Sequence, residues 1–89
     1  MKVQNMLGRT GREVANQFII SDNMGNQYFQ SYKSIIAKRK ADGSIILDGY
    51  FWDYSNTTSK YRREFLNEGI DATRAKIKSG EYTLTNLNN

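Results

Sequence analysis

Residues 50–66 read Tyr50-Phe51-Trp52-Asp53-Tyr54-Ser55-Asn56-Thr57-Thr58-Ser59-Lys60-Tyr61-Arg62-Arg63-Glu64-Phe65-Leu66, and they decide the fold class. The stretch holds the only tryptophan and six of the eleven Phe, Tyr and Trp side chains. Aromatic side chains dominate the energetics of cores and interfaces. The pattern passes from a strand end, through a polar Ser/Asn/Thr corner, into a basic helix. Ser55 or Asn56 can accept a hydrogen bond from the free N–H groups of the first helical turn. From 57 to 67 the spacing puts Tyr61, Phe65 and Leu66 on one stripe and Lys60, Arg63 and Glu64 elsewhere. Trp52, with Phe51 and Phe65, is expected to be buried at the seam between sheet and helices.

Upstream of this corner the chain reads as two hairpins. Residues 14–21 and 27–32 flank Asp22-Asn23-Met24-Gly25. With Gly25 in the left-handed position of a three-residue loop, Asp22 pairs with Asn26 and Ile20 with Tyr28. Phe18, Ile20, Tyr28 and Tyr32 then share a face. Residues 34–40 and 44–51 flank Ala41-Asp42-Gly43. A two-residue turn at Asp42-Gly43 leaves both faces mixed. A three-residue loop pairs Lys40 with Ser44 and collects Ile35, Ala37, Ile45, Leu47 and Phe51 on one side, with Arg39 at its open end. A slip of one residue would send that set to solvent, so the three-residue loop is preferred. Ile19, Phe29 and Ile36 fall on the opposite, open face of the sheet, where apolar residues would mark a binding surface or a homodimer contact.

Downstream, Gly69 is expected to cap the first helix and Asp71 to start a second, with Ile70 and Ala75 at staple positions. That helix carries Arg74, Lys76 and Lys78 around Ile77 and stops at Gly80. Residues 81–87 alternate as a last strand. The expected class is α+β: a four-stranded antiparallel sheet of two hairpins, two short helices on one face, and a C-terminal strand. Residues 1–12 read as a flexible leader and 13–89 as a single domain.

Composition narrows the chemistry. The chain of 89 residues has no cysteine, histidine or proline. Disulfides, thiolate metal sites, the commonest zinc ligand and the commonest general base are therefore excluded. The nine Asp and Glu are scattered, several at turns and caps. Asp48 and Asp53, the only close pair in the central region, point to opposite faces of a strand end unless a bulge intervenes. No catalytic residues, metal site or cofactor are expected. Gly8-Arg9-Thr10-Gly11-Arg12 is glycine-rich but lacks the lysine and the strand-to-helix context of a phosphate loop. No apolar run approaches the ~18 residues needed to span a bilayer. The first nine residues lack the apolar core of a secretory signal. A soluble intracellular protein without membrane contact is the expectation.

Thirteen Lys and Arg against nine Asp and Glu give a net charge of +4, which favours acidic partners. If the two helices pack side by side, Arg62, Arg63, Arg74 and Lys78 merge into one solvent-exposed positive surface. Tyr28, Tyr32 and Tyr54 are candidates for exposed contact residues, because tyrosine is enriched at interfaces. These seven are the expected partner-binding residues.

Three blocks carry a resemblance. They are residues 11–20 (Gly11-Arg12-Glu13-Val14-Ala15-Asn16-Gln17-Phe18-Ile19-Ile20), residues 28–37 beginning Tyr28-Phe29-Gln30-Ser31-Tyr32, and Trp52-Asp53-Tyr54-Ser55 with Thr57-Thr58, Lys60-Tyr61 and Phe65-Leu66. Together with the ending 77–87 they resemble a group of small, uncharacterised bacteriophage proteins. The resemblance implies a phage origin and action in the cytoplasm of an infected bacterium. On that basis the expected function is a non-enzymatic accessory protein that binds and inhibits a host protein or ribonucleoprotein, a defence system of the CRISPR kind. The alternative is a nucleic-acid or nucleotide binder using a basic, tyrosine-containing surface. A small nuclease using Asp48, Asp53 or a tyrosine is a third reading.

Overall fold

The computed structural model describes residues 1–88. Six strands and two helices follow in the order β1 (Lys2–Leu7), β2 (Glu13–Ser21), β3 (Gln27–Ser31), β4 (Ser34–Arg39), β5 (Ile45–Asp48), α1 (Asn56–Leu66), α2 (Ile70–Ser79) and β6 (Thr83–Thr85). The sheet order equals the chain order. All neighbours pair antiparallel except β6, which lies parallel beside β5. A parallel pair requires a long crossover, and the two helices supply it. The α+β class holds, but the sheet has six strands and is mixed rather than four-stranded and antiparallel. Residues 1–12 are not a flexible leader. Lys2–Leu7 pairs along β2 with Val3 opposite Ile20, and Met6 is buried in the core.

Both glycine loops form as their residues demand. Gly25 and Gly43 have φ of 87° and 92°, values favourable to glycine. Ile20 opposes Tyr28, and the Lys40 N–H donates to the Ser44 carbonyl at 2.9 Å. Between the hairpins, Tyr32 and Lys33 make a two-residue turn that pairs Ser31 with Ser34 and joins β3 to β4.

One residue transposes the expected faces. Gln30 opposes Ile35 but Phe29 opposes Ala37, so Ile36 is the extra residue of a β-bulge. Ile36 and Ala37 are consequently both buried, at 1% and 0% exposure. Phe29, Ala37 and Leu47 line up across three strands on the helix-covered face. Phe18, Ile20, Tyr28 and Ile35 take the open face. The expectation for Ile19, Phe29 and Ile36 is thus overturned. Phe29 and Ile36 are core residues, and Ile19 packs against that core.

Helix α1 is capped by Ser55, whose hydroxyl accepts the Thr58 N–H at 3.1 Å. Its C-cap is Asn67, left-handed at φ 57°, and not Gly69. Gly69 is instead the extended N-cap of α2, with Asp71 in the first turn where a carboxylate favours the helix dipole. Gly80 ends α2 as expected. Phe65 and Leu66 of α1 close the core, the Phe65 ring stacking on Phe29 at 5.9 Å between centroids. Strand β5 stops at Asp48, so Phe51 and Trp52 lie in turns. Both are half-buried and packed on the core, and Trp52 is not the fully buried anchor the sequence suggests. No helix is long and apolar enough to cross a membrane among the described residues.

Candidate functional site

The expected positive surface does not assemble. The buried line of α1 is Thr58, Arg62, Phe65 and Leu66, a helical face that includes the arginine. Arg62 is 1% exposed. Its Nη1 donates to the Trp52 carbonyl at 2.7 Å and lies 3.2 Å from Asp53 Oδ1, while its guanidinium carbon stands 5.3 Å from the Trp52 ring centre. Arg62 is a structural residue and cannot meet a partner. Arg74 is exposed, and its guanidinium lies 3.7 Å from the other oxygen of Asp53. Asp53 therefore draws one arginine from each helix. Arg63 is exposed one position beyond Arg62, where it faces the β1–β2 loop in a groove with Lys60. Lys78 is exposed on α2.

The tyrosines divide differently. Tyr28 is half-buried on the open sheet face; its hydroxyl donates to Asp22 at 3.3 Å and Lys38 sits 5.3 Å over its ring. Tyr32 and Tyr54 converge. They rim a pocket of about 190 Å3 at one end of the domain, lined also by Ser31, Ile36, Phe51 and Thr58. Its floor is a hydroxyl chain: Ser55 Oγ donates to Thr58 Oγ1 at 3.1 Å, and Thr58 Oγ1 to Ser31 Oγ at 3.2 Å. Tyr50, absent from the sequence-based set, lies outside this pocket, packed against two of its rim residues. Its ring meets Phe51 edge-on at 4.7 Å and Tyr54 at 5.8 Å, and Phe51 meets Tyr54 at 5.3 Å. Exposures of 55%, 72% and 61% for Tyr32, Tyr50 and Tyr54 leave their faces available.

Tyr32 is held in place by its backbone. Its φ of 56° is left-handed, a conformation rare for a bulky residue. Its N–H donates to the carbonyl of Asn16, itself left-handed at φ 65°, at 2.7 Å. Its own carbonyl accepts from Gln30 Nε2 at 2.7 Å. Asn tolerates this backbone region more readily than other residues, and that was the one sequence signal for the arrangement.

Four of the nine acidic side chains are occupied with structure. Burial would raise the Asp48 carboxyl, but hydrogen bonds from the Leu87, Phe51 and Tyr50 N–H groups and the Asn88 amide outweigh it and hold it below the usual range. Glu68 follows the same balance. Burial is outweighed by Lys76 at 2.7 Å, Thr73 at 2.6 Å and Tyr82 at 2.8 Å. Asp22 falls to about 2, mainly through the Asn26 side chain, and Asp42 is lowered by the Ser44 hydroxyl. Such groups are ionised acceptors at neutral pH, unsuited to donating a proton. Among the described residues no group of three or more carboxylates stands close enough to hold a metal ion.

No curated protein and no solved structure matches the chain. A protein-family model described as a family of unknown function (DUF8033) matches residues 1–83. With nearly its whole length matched by that model, the chain belongs to the family of unknown function DUF8033.

Proposed function

We propose that this protein is a non-enzymatic binding module of phage origin that inhibits a host bacterial factor by occupying one of its surfaces, in the manner of an anti-CRISPR protein. Its main support is the aromatic end of the domain, where Tyr32 and Tyr54 rim a pocket with a hydroxyl floor and Tyr50 stands exposed beside Tyr54. Tyrosines clustered about a pocket are the side chains from which protein-binding hot spots are most often built. The Tyr32 backbone is tied to Asn16 and Gln30 by hydrogen bonds. Little backbone ordering entropy is then lost at that position on association. The four acidic side chains with lowered pKa values are engaged in turns, caps and tethers, which favours binding over catalysis. The host setting comes from the phage resemblance of residues 11–87, and the defence role from that origin rather than from any residue.

The test is a survival assay in bacteria with an active CRISPR system and a targeted phage. Expression of the protein should raise phage survival, and affinity capture should recover one component of the defence complex. Tyr54→Ala, at an exposed position, should abolish both while leaving the fold intact. Protection by Tyr54→Ala equal to wild type would remove the aromatic rim from the mechanism, and no protection by wild type would end the defence assignment.

A further inference from the structure

A second site lies elsewhere, between the β1–β2 loop and α1. A groove of about 500 Å3 is bordered there by Gly8, Arg9, Lys60, Tyr61, Arg63 and two glutamates, Glu64 and Glu68. The loop is the glycine-bracketed stretch of residues 8–12, tightly closed by Gly8 N–H to the Arg12 carbonyl at 2.8 Å and Gly11 N–H to the Gly8 carbonyl at 3.0 Å. Gly11 has a φ of 80°, which lets the chain reverse and set Arg9 at the loop tip, across from α1.

The charge balance of the groove is positive. Glu68 is neutralised by Lys76 and also accepts from Thr73 and Tyr82. That leaves Arg9, Lys60 and Arg63 against Glu64, a local excess of +2. None of these three cations is in an ion pair among the described residues. Three like charges brought around one concavity repel one another, and an anion bound between them relieves that repulsion. The groove also offers Tyr61, half-buried and packed on the core with Lys60 5.3 Å over its ring. Three cations in one groove, one of them over an aromatic ring, match a ligand that carries phosphates beside a flat base.

We propose that this groove binds a nucleoside phosphate, with Arg9 and Arg63 on the phosphates, Lys60 swinging off the Tyr61 ring to join them, and Tyr61 against the base. The site is independent of the tyrosine rim at the other pocket. The ligand is either a free nucleotide or one unit of a single strand, and both present the same chemistry.

The probes are ATP, pyrophosphate and a twelve-residue deoxythymidine oligonucleotide, titrated into the full chain by calorimetry at low and high salt. ATP or the oligonucleotide should bind saturably at low salt and weaken steeply as salt rises. Pyrophosphate should bind more weakly than ATP, because it has no base to place on Tyr61. Arg9→Glu and Arg63→Glu, both at exposed positions, should each weaken binding by about tenfold or more, the size expected for losing a charge-assisted contact and gaining repulsion. Lys78→Glu makes the same charge change away from the groove and should weaken it less than about threefold. Tighter binding of the oligonucleotide assigns the site to a strand, and tighter ATP binding to a free nucleotide. Either supports the proposal. Absence of saturable binding by all three probes at low salt, or an equal loss in Lys78→Glu and Arg63→Glu, overturns it.

Discussion

The guanidinium of Arg62 donates to the backbone carbonyl of Trp52 at 2.7 Å from a position only 1% exposed. An arginine in the middle of a basic helix thereby fastens α1 to the turn that precedes it. Asp53, at 3.2 Å, supplies the opposite charge, and the ion is buried with a partner rather than alone. Arg62→Ala should therefore lower unfolding free energy by about 3 kcal/mol, since it removes a charge-assisted bond and leaves the Trp52 carbonyl without its donor. Arg63→Ala, one residue on and exposed, should stay within about 0.5 kcal/mol. Urea denaturation of the two variants compares them directly, and equal midpoints would show that Arg62 carries no structural role.

Trp52 should be less costly to remove than a fully buried tryptophan. Its ring is half-buried against the core and faces Arg62 at 5.3 Å. Trp52→Ala is expected to cost about 2–3 kcal/mol, below the ~3–5 kcal/mol typical of complete burial. The Trp52 carbonyl survives this substitution, so a double-mutant cycle with Arg62→Ala isolates the ring contact. A coupling of about 0.5–2 kcal/mol is expected for a partly desolvated cation–π pair. A coupling of zero would mean that ring and cation are merely neighbours.

Stability should fall at both ends of the pH scale. Asp22, Asp42, Asp48 and Glu68 titrate lower in the folded chain than their ordinary values. The folded state then binds fewer protons than the unfolded state on the acid side. Their contribution is fully present above the ordinary values of 3.8 for Asp and 4.5 for Glu, and is lost as pH falls toward the folded values, about 2 for Asp22. On the alkaline side, Lys76 is raised from 10.5 by its bond to Glu68, and Tyr82 from 10.0 by burial and the same carboxylate. Their contribution is lost as pH rises through those raised values. Thermal midpoints measured from pH 2 to 11 should trace a plateau near neutrality. Glu68→Gln should flatten both limbs, and unchanged limbs in that variant would contradict the Glu68–Lys76–Tyr82 linkage.

Tyr32 sits where its backbone is strained. Glycine adopts φ near 56° without the Cβ penalty, and a β-branched residue does so worst. Tyr32→Gly should be more stable than wild type by about 0.5 kcal/mol, the strain relief exceeding the added chain entropy. Tyr32→Val should be less stable by about 1 kcal/mol. The rim loses an aromatic face in both, so both should bind the host partner more weakly. A stability order with valine above glycine would show that the left-handed turn is not maintained.

Gln17 is 1% exposed, and its amide makes no hydrogen bond among the described residues. A buried amide without partners costs about 1–3 kcal/mol. Gln17→Met, close in volume and apolar, should raise stability by about 1 kcal/mol in urea denaturation. A loss of stability would show that the Gln17 amide is satisfied in solution.

Local chemistry was legible in the residues themselves. Gly25 and Gly43 announce three-residue loops because left-handed backbone is readily open to glycine, and both loops formed in the expected register. Ser55 was readable as a cap, and Gly80 as a stop, for equally local reasons. What depended on distant partners was not. Lys2–Leu7 looks unstructured alone because its order comes from pairing with β2. Thr83–Thr85 joins the sheet only after two helices have carried it back beside β5. The bulge at Ile36 has no marker residue, yet it decides which side of β2 and β3 meets the helices, since strand faces alternate with a period of two. Arg62 lies on the same helical line as Thr58, but a charge in that line suggests solvent until the Trp52 carbonyl and Asp53 arrive to accept from its Nη1, its buried Nε making no hydrogen bond among the described residues. The two candidate sites follow the same division. Tyrosines and cations were visible as residue types, whereas the convergence of Tyr32 on Tyr54, and of Arg9 on Arg63, exists only after packing brings the β3–β4 turn and the β1–β2 loop against α1 and the turn that leads into it.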